Sequence, residues 1–271
     1  MLHKAPDHLP ETRALLLDLS GVLYVGNAPL PGAVEALRRA REAGVPVRLV
    51  TNTTREPRVA IVDKLARLGF EVDPGELTTA PSAIRARLEA EARHPLLLVH
   101  PDLEPEFAGL ASDEPDVVVM GDMGRAFDYA VLNRAFRVLM EGAPLWVMGT
   151  NRYFREPDGL SLDIGPFVRA LEYAADIRAE NFGKPDPRLF HAAVADLDLP
   201  PDQVLMVGDD VAGDVDGARA AGLGACLVRS GKYRKGDEQR AEHPGSGLAD
   251  SLADIIDALL DKRGGNHSGS G

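Results

Sequence analysis

The amino-acid sequence predicts an α/β fold built around a mainly parallel β-sheet. Short apolar runs alternate with amphipathic helical patterns along nearly the whole chain, as in successive βαβ units. The chain has 271 residues and 45% of them are hydrophobic, which is enough to bury a sizeable core. Polar and acidic side chains stand where several apolar runs end, and open parallel sheets bind their ligands at that edge.

The N-terminal part of the chain is predicted to form two strand–helix units followed by a further helix and two strands. The first strands are ALLLD and VPVRLVTN, and the helices after them are GAVEALRRAREAG and EPRVAIVDKLARLG, each closed by a glycine. A further helix is predicted around FEVDPGELTTAPSAIRARLEAEAR. The strand candidates after it are PLLLVH and PDVVVM.

The same alternation continues to the C-terminal end. Strands are predicted at PLWVMGTN, QVLMVGDD and ACLVRSG. Helices are predicted at FDYAVLNRAFRVLMEGA, IGPFVRALEYAAD, VAGDVDGARAAG and LADSLADIIDALLDK, and a glycine–lysine–proline loop leads into another in FGKPDPRLFHAAVADL.

The composition limits the classes of function. Lys and Arg total 30 against 42 Asp and Glu, and the net charge of -12 disfavours nucleic acid or an anionic membrane as a partner. No stretch approaches the ~18 apolar residues that a membrane-spanning helix needs. The single cysteine, Cys226, lies in an apolar run and is predicted to be a buried core residue. With no apolar signal segment near the N-terminus, we expect a cytoplasmic protein.

Carboxylates stand at the ends of two predicted strands that are far apart in the sequence. Asp18 ends the first strand, Asp209 follows a strand far downstream, and Asp214 comes shortly after it. If the strand tips converge at one edge of the sheet, the mutual repulsion of these acids requires a cation. A site of oxygen ligands with room for water and a phosphate suits Mg²⁺.

Three further residues suit phosphate chemistry. Thr51 and Asn52 end the second strand and offer hydrogen-bond donors, and Lys184 in GKPDP offers a mobile positive charge. With a carboxylate nucleophile and a metal ion they would form a phosphoryl-transfer site with an aspartyl-phosphate intermediate. Taken singly, Asp18 also suits a turn, Thr51 and Asn52 also suit helix caps, and Lys184 also suits a solvated loop.

Four motifs, DLSGVLY, VTN, GKPDP and GDDVAGD, resemble in this order those of the haloacid dehalogenase superfamily of phosphohydrolases. The segment between VTN and GKPDP resembles the C2-type cap of the type IIA branch, the NagD-like phosphatases. The resemblance implies a Rossmann-like core from residues 1–78 and 184–263 and an inserted α/β C2-type cap over 79–183. It also implies a homodimer paired through the cap. The composition of GGNHSGSG predicts a flexible tail over 264–271.

The resemblance assigns a metal-binding role to four residues. Asp18 would be both the nucleophile and a Mg²⁺ ligand, and Ser20 would offer its backbone carbonyl to the ion. Asp209 would be the second carboxylate ligand, and Asp214 would reach the ion through water or support its ligands.

The resemblance also implies how the phosphoryl group is held. Thr51 and Asn52 would bind its oxygens, and Ser20 stands among the residues that meet the substrate. Lys184 would neutralise charge on Asp18 and on the transferring group, which makes it a catalytic residue beside Asp18.

Ser20 departs from the family pattern, because most phosphatases of this superfamily carry a second aspartate at that position. That acid protonates the leaving group, and positioned acid–base catalysis contributes roughly 10²–10⁴-fold. Pyrophosphate expels inorganic phosphate, a weak base, and a phosphoramidate nitrogen can take its proton from solvent. The sequence therefore predicts a small phosphorylated substrate of these kinds, pyrophosphate or an N-phosphorylated amine such as phospholysine or phosphohistidine.

Several alternatives stay open. The chain could be a general small-molecule phosphomonoesterase of the NagD-like type, or a non-catalytic protein of the same fold that binds phosphate or a partner. Asp210 could orient the metal site or cap the helix that follows it. Asp122 follows an apolar run and a glycine, as Asp209 does, but it lies within the predicted cap. The segment GKYRKGDEQR, which holds Lys232, Arg234 and Lys235, could be a solvated loop or a basic rim for anionic substrates.

Overall fold

A computed structural model describes residues 11–110, 112–156, 159–243 and 246–265. The strands, in chain order, are β1 Ala14–Asp18, β2 Tyr24–Val25, β3 Ala28–Pro29, β4 Val47–Thr51, β5 Leu77–Thr79, β6 Pro95–Leu98, β7 Val117–Met120, β8 Leu145–Val147, β9 Tyr153–Glu156, β10 Gly159–Leu162, β11 Glu180–Asn181, β12 Val204–Gly208, β13 Gly224–Val228 and β14 Gly247–Ala249. The helices are α1 Ala33–Glu42, α2 Arg58–Arg67, α3 Ala80–Glu91, α4 Tyr129–Met140, α5 Ile164–Ala175, α6 Pro187–Val194, α7 Gly217–Ala220 and α8 Leu252–Gly265.

The contacts within the chain divide it into two compact units. We call the first the core unit; it comprises Met1–Thr51, Val62–Thr78 and Lys184–Gly271. The second, the inserted unit, comprises Asn52–Ile61 and Thr79–Gly183. The segment Asn52–Ile61 therefore belongs to the inserted unit by its contacts, whereas the sequence prediction assigned it to the core as part of residues 1–78.

A sheet of six strands forms the centre of the core unit, in the order β14-β13-β12-β1-β4-β5. β1 pairs in parallel with β12 on one side and with β4 on the other. Every residue of β1 and β12 is buried, as expected for central strands covered on both faces. Cys226 on β13 is fully buried, which confirms it as a core residue, and burial raises the pKa of its thiol to about 12.

The first helix shows why the local sequence folds as it does. Its apolar positions follow a helical period, and Ala33, Ala36, Leu37 and Ala40 are buried. The helix ends at its C-cap Ala43, and Gly44 follows with a φ of 68°, a left-handed conformation that glycine adopts without strain. The predicted glycine stop is confirmed.

The inserted unit has its own parallel sheet, in the order β11-β8-β7-β6. One apolar cluster packs α3 against one face of this sheet around Trp146 and Phe107. A second cluster packs α4 and α5 around Leu139, Val168 and Leu171. The inserted unit thus buries a hydrophobic core on both faces of its sheet.

The α/β fold class is confirmed, and the differences from the predicted elements are local. Strands of two or three residues, such as β2, β3 and β11, are too short for hydrophobic alternation to indicate them. The helix predicted at VAGDVDGARAAG begins as one π-helical turn over Val211–Asp216. The last helix continues to Gly265, two residues into the segment 264–271 predicted as a tail, and residues 266–271 lie outside the described residues.

No helix in the described ranges is both long enough and apolar enough to cross a membrane.

Candidate active site

Three polar side chains of the core unit lie at the carboxyl ends of neighbouring strands. Asp18 is the last residue of β1, Thr51 the last residue of β4, and Asp209 follows β12 directly. Taken as whole residues, backbone included, they are 5%, 4% and 2% exposed, so each has been taken almost entirely out of water. Because these strands are parallel and adjacent, their C-terminal ends share one edge of the sheet.

Lys184 bridges two of the carboxylates at this edge. Its Nζ donates to Oδ1 of Asp18 and to Oδ1 of Asp214, both at 2.6 Å. All three side chains are buried, with exposed fractions of 6% for Lys184, 8% for Asp18 and 1% for Asp214. Burial disfavours the ammonium ion, but the two carboxylates outweigh it and hold the pKa of Lys184 above its ordinary value. The lysine is therefore charged and fixed in place.

Asp214 is held from both sides. Its Oδ1 accepts from Lys184, and its Oδ2 accepts from the backbone N–H groups of Asp209 and Asp210, each at 3.1 Å. The strand before it leaves room for this contact because Gly208 has no side chain; a Cβ there would lie 2.2 Å from Cβ of Asp214. Asp214 is therefore an anchor for Lys184 and for the turn after β12.

Asp209 has one oxygen engaged and one without a partner. Its Oδ2 accepts from the backbone N–H of Lys232 at 2.6 Å. Its Oδ1 is buried and has no hydrogen-bond partner among the residues that the structure describes. A buried carboxylate oxygen left in this state is costly unless a ligand meets it.

Two glycines make space for the Asp209 side chain. A Cβ on Gly21 would lie 2.0 Å from Oδ2 of Asp209, and one on Gly231 would lie 2.1 Å from the same atom. Both glycines have positive φ angles, 92° and 59°. Oγ of Ser230 donates to the Gly21 carbonyl at 2.5 Å, which ties the loop after β13 to the loop after β1.

The donor set of this edge fits a divalent cation. Asp18, Asp209 and Asp214 each offer a carboxylate oxygen, and these atoms lie within 4.8 Å of one another. Lys184 donates to two of these carboxylates, so the ionised cluster carries more negative than positive charge. Burial raises the pKa of Asp209 to about 6, and burial together with Asp18 raises the pKa of Asp214 against the opposing charge of Lys184. Buried oxygen donors and excess negative charge suit a hard divalent cation such as Mg²⁺.

Ser20 and Asn52 are the other two predicted site residues. Ser20 is exposed and pairs through a β-bridge with Tyr24, just before the turn at Gly21. Asn52 follows Thr51 in the chain but belongs to the inserted unit, where its amide oxygen lies beside Gly183; a Cβ there would be 3.1 Å away.

Asp210 and Lys232 form a charged pair beside the cluster. Oδ1 of Asp210 accepts from the backbone N–H of Gly213, so this residue caps the turn that follows it. Its Oδ2 lies 3.5 Å from Nζ of Lys232. From the sequence, the segment of Lys232 could be interpreted either as a solvated loop or as a basic rim for anionic substrates. The roles of Gly21, Ser230 and Gly231 at this edge were not predicted. The only local signal was a glycine beside a serine after each of two predicted strands.

Asp122 lies in the inserted unit, as its position in the sequence indicates. It follows β7, is 5% exposed, and accepts from Nε of Arg55 at 2.5 Å and from the backbone N–H of Gly124 at 2.7 Å. Asp163 in the same unit caps α5 by accepting from Ile164, and burial raises its pKa. These acids therefore have structural partners of their own.

Sequence comparison finds two family matches and close relatives. The haloacid dehalogenase-like hydrolase profile matches residues 15–111, and a HAD-hydrolase-like profile matches residues 181–255. The mouse (Mus musculus) haloacid dehalogenase-like hydrolase domain-containing protein 2 is 42% identical over 92% of this chain and 96% of its own. The Xenopus laevis phospholysine phosphohistidine inorganic pyrophosphate phosphatase is 42% identical over 92% of this chain and 94% of its own.

Solved structures share the fold over nearly the whole chain. The 4-nitrophenylphosphatase of Thermotoga maritima superposes with a TM-score of 0.85 at 25% identity, covering 93% of this chain and 99% of that one. The glycerol phosphate phosphatase of Mycobacterium tuberculosis, solved in complex with magnesium, superposes with a TM-score of 0.78 at 26% identity, covering 93% of this chain and 78% of that one.

Proposed function

This chain belongs to the haloacid dehalogenase-like hydrolases and is a phosphatase of that family, and from this premise we propose that it hydrolyses pyrophosphate or N-phosphorylated amines in a Mg²⁺-dependent reaction through an aspartyl phosphate. The observation that carries the proposal is the buried contact of 2.6 Å between Nζ of Lys184 and Oδ1 of Asp18, beside two further carboxylates. A phosphoryl-transfer site needs this combination of a fixed carboxylate and fixed positive charge.

In the first step, a carboxylate oxygen of Asp18 attacks phosphorus. The bond from Asp18 oxygen to phosphorus forms while the bond from phosphorus to the leaving atom breaks, and the leaving group departs with that electron pair. Lys184 keeps Asp18 ionised and oriented, because its ammonium group is buried and held in turn by Asp214. Charge fixed in advance in a dry site lowers the barrier without reorganisation.

In the second step, the oxygen of a water molecule bonds to the phosphorus of the aspartyl phosphate while the bond from phosphorus to the Asp18 oxygen breaks. Asp18 keeps that electron pair as a carboxylate, and the protons of the water leave with inorganic phosphate or pass to solvent. Lys184 stays beside Asp18 throughout and meets the negative charge that returns to it. Thr51, buried at the end of the neighbouring strand, and Asn52 after it are the proposed donors to the phosphoryl oxygens.

Mg²⁺ would be held by Asp18, by the backbone carbonyl of Ser20 and by Oδ1 of Asp209, the buried oxygen without a hydrogen-bond partner. Both oxygens of Asp214 accept hydrogen bonds, which supports contact through water. The ion supplies positive charge that neutralises the phosphoryl oxygens and the acidic cluster. The glycerol phosphate phosphatase of the same fold was solved in complex with magnesium and also with calcium, which supports a divalent cation at this site.

Ser20 decides the class of substrate within the proposal. A hydroxyl cannot protonate a leaving group near neutral pH, so esters of alcohols lose the roughly 10²–10⁴-fold contribution of a positioned acid. Phosphate leaves without enzymic help, and an amine nitrogen can be protonated by solvent. The name of the Xenopus laevis relative, which includes phospholysine, phosphohistidine and inorganic pyrophosphate, supports the same substrates.

A general small-molecule phosphomonoesterase is the second candidate. The solved relatives named for 4-nitrophenyl phosphate and glycerol phosphate favour it. The two proposed functions share the same nucleophile and metal site, and they differ only in the leaving group of the substrate.

A substrate panel tests the proposal. Phosphate release is measured with Mg²⁺ from pyrophosphate, N-phospholysine, N-phosphohistidine, glucose 6-phosphate and glycerol phosphate. We expect kcat/KM for the first three to exceed that for the sugar and glycerol esters by about tenfold or more. Comparable values across the panel favour the phosphomonoesterase, and no Mg²⁺-dependent release from any compound contradicts both.

Homodimerisation through the inserted unit and a cytoplasmic location remain part of the proposal. The family resemblance supports the first, and the acidic charge and single cysteine support the second. Light scattering at micromolar protein checks the dimer, and a monomeric mass contradicts it.

A further inference from the structure

We propose that Lys232 is a substrate-binding residue whose ammonium group contacts the leaving phosphoryl group, so that the site favours a diphosphate over an N-phosphorylated amine. This inference rests on the proposed function and sharpens it, because the two substrate classes differ in the charge of the group that leaves. Phosphate leaves as an anion, whereas an amine leaves neutral or positively charged.

The backbone of Lys232 is fixed at the acidic cluster. Its N–H donates to Oδ2 of Asp209 at 2.6 Å, and Gly231 before it packs against the same carboxylate. Ser230 is tied to the carbonyl of Gly21, and the N–H of Tyr233 donates to the Ser230 carbonyl at 3.2 Å. The backbone from which the Lys232 side chain extends is therefore held beside the carboxylate of Asp209.

The side chain of Lys232, in contrast, is loosely held. It is 68% exposed, and its Nζ lies 3.5 Å from Oδ2 of Asp210, longer than the usual hydrogen bond between an ammonium and a carboxylate. A charged group on a flexible four-carbon stem can move from Asp210 to an incoming anion at little cost.

The other cation of the cluster cannot serve this purpose. Lys184 is buried and already donates to both Asp18 and Asp214 at 2.6 Å. The loop that carries Lys232 also carries Arg229, whose guanidinium pairs with Asp250 at 2.6 Å. Lys232 is thus placed to meet a second phosphoryl group, while Lys184 serves the first.

The chemistry of pyrophosphate uses such a group directly. When Asp18 attacks one phosphorus, the bond between that phosphorus and the bridging oxygen breaks, and the oxygen keeps the electron pair as part of inorganic phosphate. Negative charge grows on the departing phosphate, and the Lys232 ammonium stabilises it without transferring a proton. This complements Ser20, which leaves the site without a proton donor.

Binding of two phosphonates tests the proposal without requiring turnover. Calorimetry at fixed free Mg²⁺ compares methylenediphosphonate, which has two phosphoryl-like groups, with methylphosphonate, which has one. We expect Lys232→Met to weaken the diphosphonate by about tenfold, the scale of one partly exposed charge-assisted hydrogen bond, and the monophosphonate by less than about twofold. Lys232→Arg should retain most of the difference, and Lys235→Met, a neighbouring exposed lysine, should bind both as the wild type does. The backbone contact to Asp209 is unchanged in each variant, since it uses only the peptide N–H.

Kinetics provide the second measurement. In Lys232→Met the ratio of kcat/KM for pyrophosphate to that for N-phospholysine should fall about tenfold, because only pyrophosphate expels an anion. Equal loss for both phosphonates, or no loss for either, overturns the assignment of Lys232. A wild-type enzyme that does not hydrolyse pyrophosphate contradicts the proposed function instead, and the binding measurement still decides the role of Lys232.

Discussion

Nζ of Lys184 lies 2.6 Å from Oδ1 of Asp18, although the two residues are 166 positions apart in the sequence. Both side chains are buried, and the ion pair is completed by Asp214 on the far side of the lysine. A buried ion pair contributes little net stability by itself, but removal of one partner leaves a charge with nothing to meet it. The contact therefore links the stability of the core unit to the chemistry proposed for it.

Removal of the proposed nucleophile should abolish turnover and preserve the fold. Asp18→Asn keeps the shape of the side chain but cannot form an aspartyl phosphate, so we expect Mg²⁺-dependent phosphate release to fall by at least about 10³-fold. Steady-state rates with pyrophosphate measure it. Asp196→Asn, which removes a largely exposed partner of Arg48 in the same unit, is the control and should keep wild-type activity. Retention of activity in Asp18→Asn would mean that Asp18 is not the nucleophile.

Replacement of Lys184 should cost stability as well as activity. Lys184→Met leaves Asp18 and Asp214 buried without their shared cation, a loss of roughly 3–5 kcal/mol in unfolding free energy. Thermal unfolding without Mg²⁺ should show a clearly lower Tm than in the wild type. Lys235→Met removes an exposed lysine and should leave the Tm unchanged. Equal Tm values for the two variants would mean that the buried ion pair carries no stability.

Mg²⁺ should stabilise the folded chain, since the cation balances the excess charge of the cluster. At about 100 times Kd the expected gain is about 2.7 kcal/mol. Melting curves with Mg²⁺ and with chelator measure the shift. Asp209→Asn should lose most of it because Oδ1 of Asp209 is the buried oxygen without a partner. Asp250→Asn, which alters a surface ion pair, should keep it.

An acid at position 20 should widen the substrate range. Ser20→Asp supplies the missing proton donor, so kcat/KM for glycerol phosphate should rise by about tenfold or more, while pyrophosphate changes little. Ser20→Asn, of similar size and without a proton to give, separates acid catalysis from a change of shape. An equal rise in both variants would contradict the leaving-group argument.

The glycines around Asp209 should be needed for metal binding and not only for the turn. Gly231→Ala places a Cβ 2.1 Å from Oδ2 of Asp209, so Asp209 must shift and the Tm gain from Mg²⁺ should shrink. Gly26 has the same φ of 59° and no atom within 4 Å of an added Cβ. Gly26→Ala therefore introduces the same backbone strain of about 1–2 kcal/mol but should keep the full rise in Tm on adding Mg²⁺. Melting curves of the two variants with and without Mg²⁺ decide the point.

The sequence by itself determined the α/β class, most helices and strands, and the acids and the lysine that lie together at the sheet edge. These features are local: helical period, apolar strand runs, glycine stops and acids at strand ends can all be read within a few residues. Asp18, Thr51 and Asp209 could be predicted as one edge because parallel strands end on the same side. The departure at Ser20 is likewise visible in the sequence alone.

Only the tertiary structure decided how those residues share their contacts. It made Asp214 the anchor of Lys184, left Oδ1 of Asp209 without a partner, and brought the backbone of Lys232 against Oδ2 of Asp209. These contacts depend on the strand order, which sets β12 beside β1 and β13 beside β12, and on the loops that follow each strand. Hydrogen bonds between loops far apart in the chain leave no periodic signal, because their geometry is fixed by the packing of the whole sheet and not by any local pattern.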